Sequence, residues 1–136
     1  MLKKKQPLIT LFIFLYLFFI NFLSYAEDLK IIADSINFNN KKNQLIAEGN
    51  VKIEYNSYFL KTNKLIFNKE LNTLKTDFPL KIITPDNIII LSNSTIISSN
   101  FDTFNAKKTR TLIDDRLQIA SDKLEKKNNS ETIFYR

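Results

Sequence analysis

The stretch Leu45–Ile53, LIAEGNVKI, contains the only glycine of this 136-residue chain. Apolar and polar residues alternate on both sides of Gly49, which is the period-2 pattern of a strand with one buried face. The glycine could be the centre of a hairpin turn or a bend within one long strand. At the equivalent place of the next sequence repeat, described below, Asp77–Leu80 (DFPL) suits a bent strand better than a tight turn. We therefore predict that Gly49 is a strand bend in a curved sheet.

Four similar segments recur along the chain, each opening with a small residue followed by Asp or Asn. Their first residues, 29, 30 and 29 positions apart, are Ala33, Thr62, Ser92 and Ser121. A second column with the same spacings consists of Leu45, Leu74, Phe104 and Ile133. A period near 29 accommodates two strands of about ten residues with their turns. We predict an all-β fold of repeated two-stranded units, which bury their apolar sides only against one another and leave a strand edge open at each end.

The first 26 residues have the layout of a secretory signal peptide. Lys3–Lys5 precede an apolar run from Leu8 to Leu23, and Ser24-Tyr25-Ala26 offers a site for cleavage after Ala26. The apolar run is close to the length of a membrane span, so an uncleaved N-terminal anchor is the alternative. In either case we expect export, with residues 27–136 forming one small β domain.

The composition of residues 27–136 argues against several classes of function. The chain has no His and no Cys, which removes a Ser-His-Asp triad, a thiol nucleophile and the usual zinc ligand sets. One glycine cannot build a glycine-rich phosphate loop. Seventeen basic and fourteen acidic residues remain after the signal peptide, a net charge of +3 with no concentrated basic run. We expect no enzymatic activity, no cofactor, no metal and no nucleic-acid partner.

Apolar residues in strand alternation could line a trough that holds lipid, although the same residues could also form a closed core. The groove candidates are Ile32, Ile36, Phe38, Leu45, Val51, Ile53, Leu65, Phe67, Leu74, Leu80, Ile82, Phe104 and Leu112. Lys52, Lys61 and Lys64 lie near the first trough strands and are candidates for contacting a phosphate-bearing headgroup. A solvated outer face is the alternative for these three lysines.

The segments Ala33–Ile53 (ADSINFNNKKNQLIAEGNVKI) and Leu60–Asn68 (LKTNKLIFN) resemble the LptA/OstA-like family of lipopolysaccharide transport, also described as the organic solvent tolerance-like N-terminal domain. The family typically reads Ala-Asp-x-hydrophobic-x-Tyr, followed by x-x-Ala-x-Gly-Asn-Val-x-Ile. This chain departs from it with Thr62-Asn63 and Ser92-Asn93, where Ala-Asp is usual. The tail, residues 115–136, is similar to the end of the N-terminal domain of LptD, and the chain would then stop before the β-barrel of that translocon.

The resemblance implies a V-shaped β-jellyroll (a β-taco) that is open at both edges. It implies a periplasmic protein of a Gram-negative bacterium, in some family members at the outer membrane, whose interior passes the acyl chains of lipopolysaccharide or a lipid A-like glycolipid. It also implies edge-to-edge strand pairing with other Lpt-type β-jellyroll domains. The alternative function is an exported β-repeat module that assembles through its strand edges without carrying lipid.

Overall fold

A computed structural model describes residues 28–114, 116–128 and 131–136, so the expected signal peptide and its cleavage site at Ala26 lie outside it. Eleven strands form one antiparallel sheet, and a 3-10 turn at Asn40–Lys42 joins the second strand to the third. The strands are β1 (Lys30–Ile32), β2 (Ser35–Asn39), β3 (Gln44–Tyr55), β4 (Tyr58–Asn68), β5 (Thr73–Thr76), β6 (Leu80–Ile83), β7 (Ile89–Ser92), β8 (Ser94–Ser98), β9 (Phe104–Ile113), β10 (Leu117–Lys127) and β11 (Glu131–Tyr135). The all-β expectation is confirmed. No helix in these ranges is long and apolar enough to cross a membrane.

The sheet is bent along a line that crosses the long strands β3, β4, β9 and β10 near their middles and passes between the shorter strands, which produces two walls. The first wall contains β2, β5, β8 and β11, and the second contains β1, β6 and β7. The long strands β3, β4, β9 and β10 contribute one half to each wall, since β4 pairs with β5 through one half and with β6 through the other. The pairing path runs β1-β3-β4-β5-β8-β9-β10-β11, as expected for successive two-stranded units.

The bend coincides with the regular spacing of the four sequence repeats. In β3 the register with β4 shifts between Glu48 and Val51, where Gly49 and Asn50 have φ of 76° and 46°. The corresponding interruptions are residues 33–34 between β1 and β2, 77–79 between β5 and β6, and Asn93 between β7 and β8. In β9, Lys108 has φ of 50° at the same level. Each repeat therefore marks the point where one strand passes from wall to wall.

The space between the walls is filled by apolar side chains over most of the sheet. Ala47, Leu74, Ala106 and Leu124 have no accessible surface, and they come from four strands of the first wall. Residues of the second wall such as Ile53 pack into the same cluster. Burial of this interior is the main stabilising contribution, at about 25 cal/mol per Å² of apolar surface removed from water.

Buried hydroxyl groups line the inner side of the bend. The pairs are Thr62 with Thr76 (3.2 Å), Ser92 with Thr95 (2.5 Å) and Thr109 with Ser121 (2.6 Å). A buried hydroxyl without a partner is costly, and these hydroxyls satisfy one another. The Thr62–Thr76 and Thr109–Ser121 pairs join neighbouring strands, whereas the Ser92–Thr95 pair spans the break between β7 and β8. In three of the four repeats the small opening residue, Thr62, Ser92 or Ser121, therefore contributes a hydroxyl to one of these pairs at the bend.

Candidate functional site

At the β1–β2 end of the sheet the interior opens to solvent. A cavity of about 500 Å³ lies between the walls there. Its lining consists of the apolar or aromatic residues Leu29, Ile31, Ile36, Leu45, Tyr55 and Phe67 and the polar residues Asp28, Lys69, Asn72 and Ser99. The cavity is thus an apolar chamber with polar groups on one side.

The inner face of β2 forms the open side of this end. Ile36 pairs with Ala47 and Phe38 pairs with Leu45, and cross-strand partners lie on the same face of a sheet. Ile36 and Phe38 are nevertheless 47% and 48% exposed, because no strand of the second wall covers them within the described chain. The Nζ of Lys69 lies 4.5 Å from the centre of the Phe38 ring. Two large apolar side chains therefore face the interior without being buried in it.

The middle of the interior is closed by the loop between β8 and β9. Phe101 is 1% exposed, and its ring stacks on Tyr55 (5.4 Å between centroids) and on Tyr58 (5.0 Å) at the rim of the second wall. The Nζ of Lys126, in β10 of the first wall, donates to the Tyr58 hydroxyl (2.8 Å) and to the Phe101 carbonyl (3.3 Å). We call Tyr55, Tyr58, Phe101 and Lys126 the aromatic clasp, because they join the two rims.

Eleven of the thirteen groove candidates lie on the inner face. Seven of them are buried in the filled region: Val51, Ile53, Leu65, Leu74, Leu80, Ile82 and Phe104. Leu45 and Phe67 are partly buried beside the open cavity, where Ile36 and Phe38 are exposed. The trough and closed-core interpretations thus each describe a part of the interior: four candidates line or border open space, and seven are core.

Ile32 and Leu112 are corrections, since both lie on the outer face. Ile32 pairs with the exposed Lys52, whereas its neighbour Ile31 pairs with the buried Ile53. Leu112 pairs with Ile89, and the inward residue of β9 is Thr111. The repeat position of Ile53 and Ile82 is occupied in β9 by Thr111, because the bend of β9 is one residue shorter. The inward residues on either side of that bend, Ala106 and Thr109, are three positions apart, whereas Thr76 and Leu80, on either side of the bend between β5 and β6, are four apart.

The three lysines proposed for a headgroup also lie on the outer face, which is a second correction. Lys52 and Lys61 are directly opposite one another in β3 and β4, next to the inward residues Val51 and Leu60. Lys64 forms an ion pair with Glu48 (2.6 Å) on the same face. The backbone of the sheet lies between all three ammonium groups and the interior, which agrees with the alternative of a solvated outer face.

The interior residues missing from the groove candidates include the buried core residues Ala47, Leu60, Ile90, Ile97, Ala106 and Leu124. Near the open cavity and the clasp they also include Ile31, Tyr55 and Phe101. Ile32 was expected in the interior, where its neighbour Ile31 lies instead. The short, bent β1 has too few alternating residues to show which of the two faces inward. Tyr55 continues the odd-numbered inward positions of β3, Val51 and Ile53, so its direction could have been found. Phe101 lies in a loop between two strands, where no periodicity predicts burial.

The titratable groups with clearly shifted pKa values, within the described ranges, are at the β10–β11 end rather than in the interior. A hydrogen bond and ion pair with Lys123, and a second hydrogen bond from the Tyr135 hydroxyl (2.8 Å), lower the pKa of Glu125. The same contacts raise the pKa of Lys123 and of Tyr135. This cluster fastens an edge strand and offers no acid–base pair to a ligand.

The fold is similar to that of LptH of Pseudomonas aeruginosa, described as the LptA homologous periplasmic component of the conserved lipopolysaccharide transport device. The TM-score is 0.67 at 12% sequence identity, and the match covers 81% of this chain and 83% of that chain. Neither a family model nor a curated protein matches the sequence. At this identity the likeness establishes the fold, which confirms the expected LptA-like β-jellyroll. The likeness of the tail to LptD stays a prediction.

Proposed function

We propose that this protein is a periplasmic lipid-binding module of lipopolysaccharide transport, which receives acyl chains at the β1–β2 end and passes them on. The observation that carries the proposal is the half-exposed apolar inner face of β2, with Ile36 and Phe38 beside a 500 Å³ apolar cavity. Soluble proteins rarely leave such a concave apolar surface without a use for it. The LptA-like fold of a periplasmic transport component supports the same function.

The energetics favour partial enclosure of the lipid. Burial of one methylene contributes about 0.8 kcal/mol, so full enclosure of a twelve-carbon chain would contribute roughly 10 kcal/mol. A carrier that held its lipid so tightly would release it slowly. A short open chamber, followed by a closed region behind the aromatic clasp, fits a module that holds only part of an acyl chain. No covalent chemistry is required of the chain, in line with a transport component and not an enzyme.

The ends of the sheet supply the remaining part of the proposal. In the described part of the chain, β2 and β11 each pair with one strand only, β3 and β10 respectively. An unpaired strand edge is a template for another strand. We therefore propose that β-jellyroll domains of the same type pair with these edges, so that the inner faces form one continuous surface along which acyl chains move.

The test is photo-crosslinking on the two faces of one strand. A photo-reactive residue replaces Phe38, on the inner face of β2, or Asn37, which pairs with Ile46 on the outer face of the same strand. The two variants share the same strand, edge and solvent exposure. With lipid A or lipopolysaccharide as ligand, we expect crosslinking at position 38 and at least tenfold less at 37. Equal crosslinking at both positions, or none in a folded protein, would reject the lipid-binding function.

A second candidate function is an exported scaffold that assembles through its edges without lipid. The filled interior favours it, because seven groove candidates are buried core residues. A scaffold would associate to the same extent with and without lipid, whereas a carrier predicts lipid-dependent behaviour at β2. Sedimentation of the purified protein with and without lipid A separates the two functions, together with the crosslinking result at positions 37 and 38.

A further inference from the structure

The outer face of the second wall carries a row of basic side chains that the sequence did not reveal. Successive cross-strand partners along this row are Lys52, Lys61, Lys81, Leu91 and Arg110. Lys52, Lys81 and Arg110 are 29 residues apart in each case, so the sequence repeat itself aligns them. All four basic residues are exposed. The row belongs neither to the interior nor to the strand edges.

This arrangement is unfavourable for the folded protein alone. Lys61 lies directly between Lys52 and Lys81, and like charges directly opposite one another destabilise strand pairing. Each of the four ion pairs found among the described residues uses another lysine: Lys30, Lys64, Lys75 or Lys123. These four lysines have carboxylate partners, whereas the row brings positive charges next to one another along neighbouring strands.

The row also lines a concavity. A groove of about 920 Å³ lies at the bend and is bordered by the whole row. Lys108 and Arg136 add two more basic side chains, and Asp122 is the one carboxylate side chain among the described residues that line it. Four steps between adjacent strands separate Lys52 from Arg110, a span of about 19 Å at roughly 4.8 Å per step. One phosphate cannot reach across such a length.

We propose that this groove binds a ligand with at least two phosphate groups on a sugar framework. The adjacent lysines of the row, Lys52, Lys61 and Lys81, contact one phosphate. Arg110 contacts the other phosphate with the bidentate geometry that guanidinium favours. Leu91, 44% exposed between Lys81 and Arg110, offers an apolar contact to the carbon face of a sugar ring. The side-chain amides of Asn50, Asn63 and Asn93 border the groove and add neutral hydrogen-bond donors for sugar hydroxyls. This site is independent of acyl-chain binding between the walls.

The experiment uses the full chain, expressed for export and purified. Isothermal titration at low ionic strength measures two probes, a bisphosphorylated glucosamine disaccharide without acyl chains and inorganic pyrophosphate. The site variant is Lys61→Gln with Lys81→Gln. The matched control is Lys30→Gln with Lys75→Gln, which removes the same charge from lysines that have carboxylate partners outside the groove.

We expect wild-type protein to bind the disaccharide at least tenfold more tightly than pyrophosphate. The site variant should bind the disaccharide at least tenfold more weakly than wild type, whereas the control variant should change this affinity less than twofold. The site variant should unfold at the same temperature as wild type or a higher one, because a repulsion between lysines is removed. An unchanged or raised melting temperature would show that the variant is folded and that its loss of binding comes from the site. Equal affinity for both probes with the same variant pattern would assign the groove to free phosphates. Absence of binding, or an equal effect of both double variants, would overturn the proposal.

Discussion

At the scale of single residues, Gly49 shows why one glycine suffices in this chain. Its φ of 76° belongs to the left-handed region, and its backbone contacts Asp34 so closely that a Cβ would lie 2.9 Å from the Cβ of Asp34. The amide nitrogen of Asp34 also donates to the Gly49 carbonyl (2.9 Å). Elsewhere Asn adopts this conformation, at six of the ten non-glycine residues with positive φ. Among the residues that the structure describes, only position 49 combines the left-handed conformation with a neighbour that excludes a side chain.

We predict that Gly49→Ala lowers the free energy of unfolding by about 2–3 kcal/mol, from the left-handed backbone cost and the contact with Asp34. Urea denaturation measures the change. The double variant Asp34→Gly with Gly49→Ala removes the steric contact but leaves the backbone cost. The two substitutions should therefore be coupled, with the double variant losing less than the sum of the single losses. Strict additivity would show that the contact with Asp34 contributes nothing.

At the scale of structural elements, the aromatic clasp is held by a strained residue. Phe101 has φ of 59°, which is rare for a bulky side chain, yet it is buried between Tyr55 and Tyr58. The β8–β9 loop around it is closed by hydrogen bonds from the Ser98 amide to the Thr103 carbonyl and from the Ser99 amide to the Asn72 carbonyl, both 2.9 Å. Burial and stacking of the ring offset the backbone cost.

We predict that Phe101→Ala costs about 3 kcal/mol of unfolding free energy, within the range for loss of a buried aromatic ring. Glycine normally costs up to about 1 kcal/mol more than alanine, but here Phe101→Gly should be at least as stable as Phe101→Ala, because glycine accepts positive φ. The control Leu71→Ala, at a side chain that is 71% exposed, should change stability by less than about 0.5 kcal/mol. A lower free energy of unfolding for Phe101→Gly than for Phe101→Ala would show that the backbone at position 101 is not strained.

The attachment of β11 to β10 depends on the ionisation of Glu125. Because its folded-state pKa is lowered by Lys123 and Tyr135, the contribution of Glu125 to stability is present above its ordinary pKa of 4.5 and is lost as the pH falls through the lowered value. We predict that Glu125→Gln lowers the melting temperature at pH 7. The difference from wild type should shrink as the pH falls below 4.5 and through the lowered pKa of Glu125, as measured by circular dichroism. A constant difference at all pH values would show that packing, not charge, is lost.

At the scale of the whole molecule, the two ends of the sheet are not equivalent. The β1–β2 end has an open cavity and exposed inward side chains, whereas Leu124 of β10, beside β11, is fully buried. The middle is closed by the clasp. Among the described residues, the interior is therefore open at the β1–β2 end and filled in the middle and beside β11.

We predict that amide hydrogen exchange is slow in the long strands β3, β4, β9 and β10 and fast in β2, because an edge strand with exposed inner side chains opens most easily. Addition of lipid A should slow exchange in β2 and leave β11 unchanged within error. Mass spectrometry of peptides spanning Ser35–Asn39 and Glu131–Tyr135 measures both effects. Equal protection of the two ends would contradict the asymmetry of the cavity.

The sequence alone determined the all-β class, the 29-residue period and the inward direction of most apolar residues, because strand alternation and repeat spacing are local properties of the chain. It failed for Ile32 and Leu112, since one residue more or fewer at a bend reverses which face a side chain occupies. Only the tertiary structure decided that the interior is core at Leu74 and open at Phe38, and that Phe101 closes the middle. The same holds for the basic row, whose members are distant in sequence and become neighbours because antiparallel pairing brings the repeats into register.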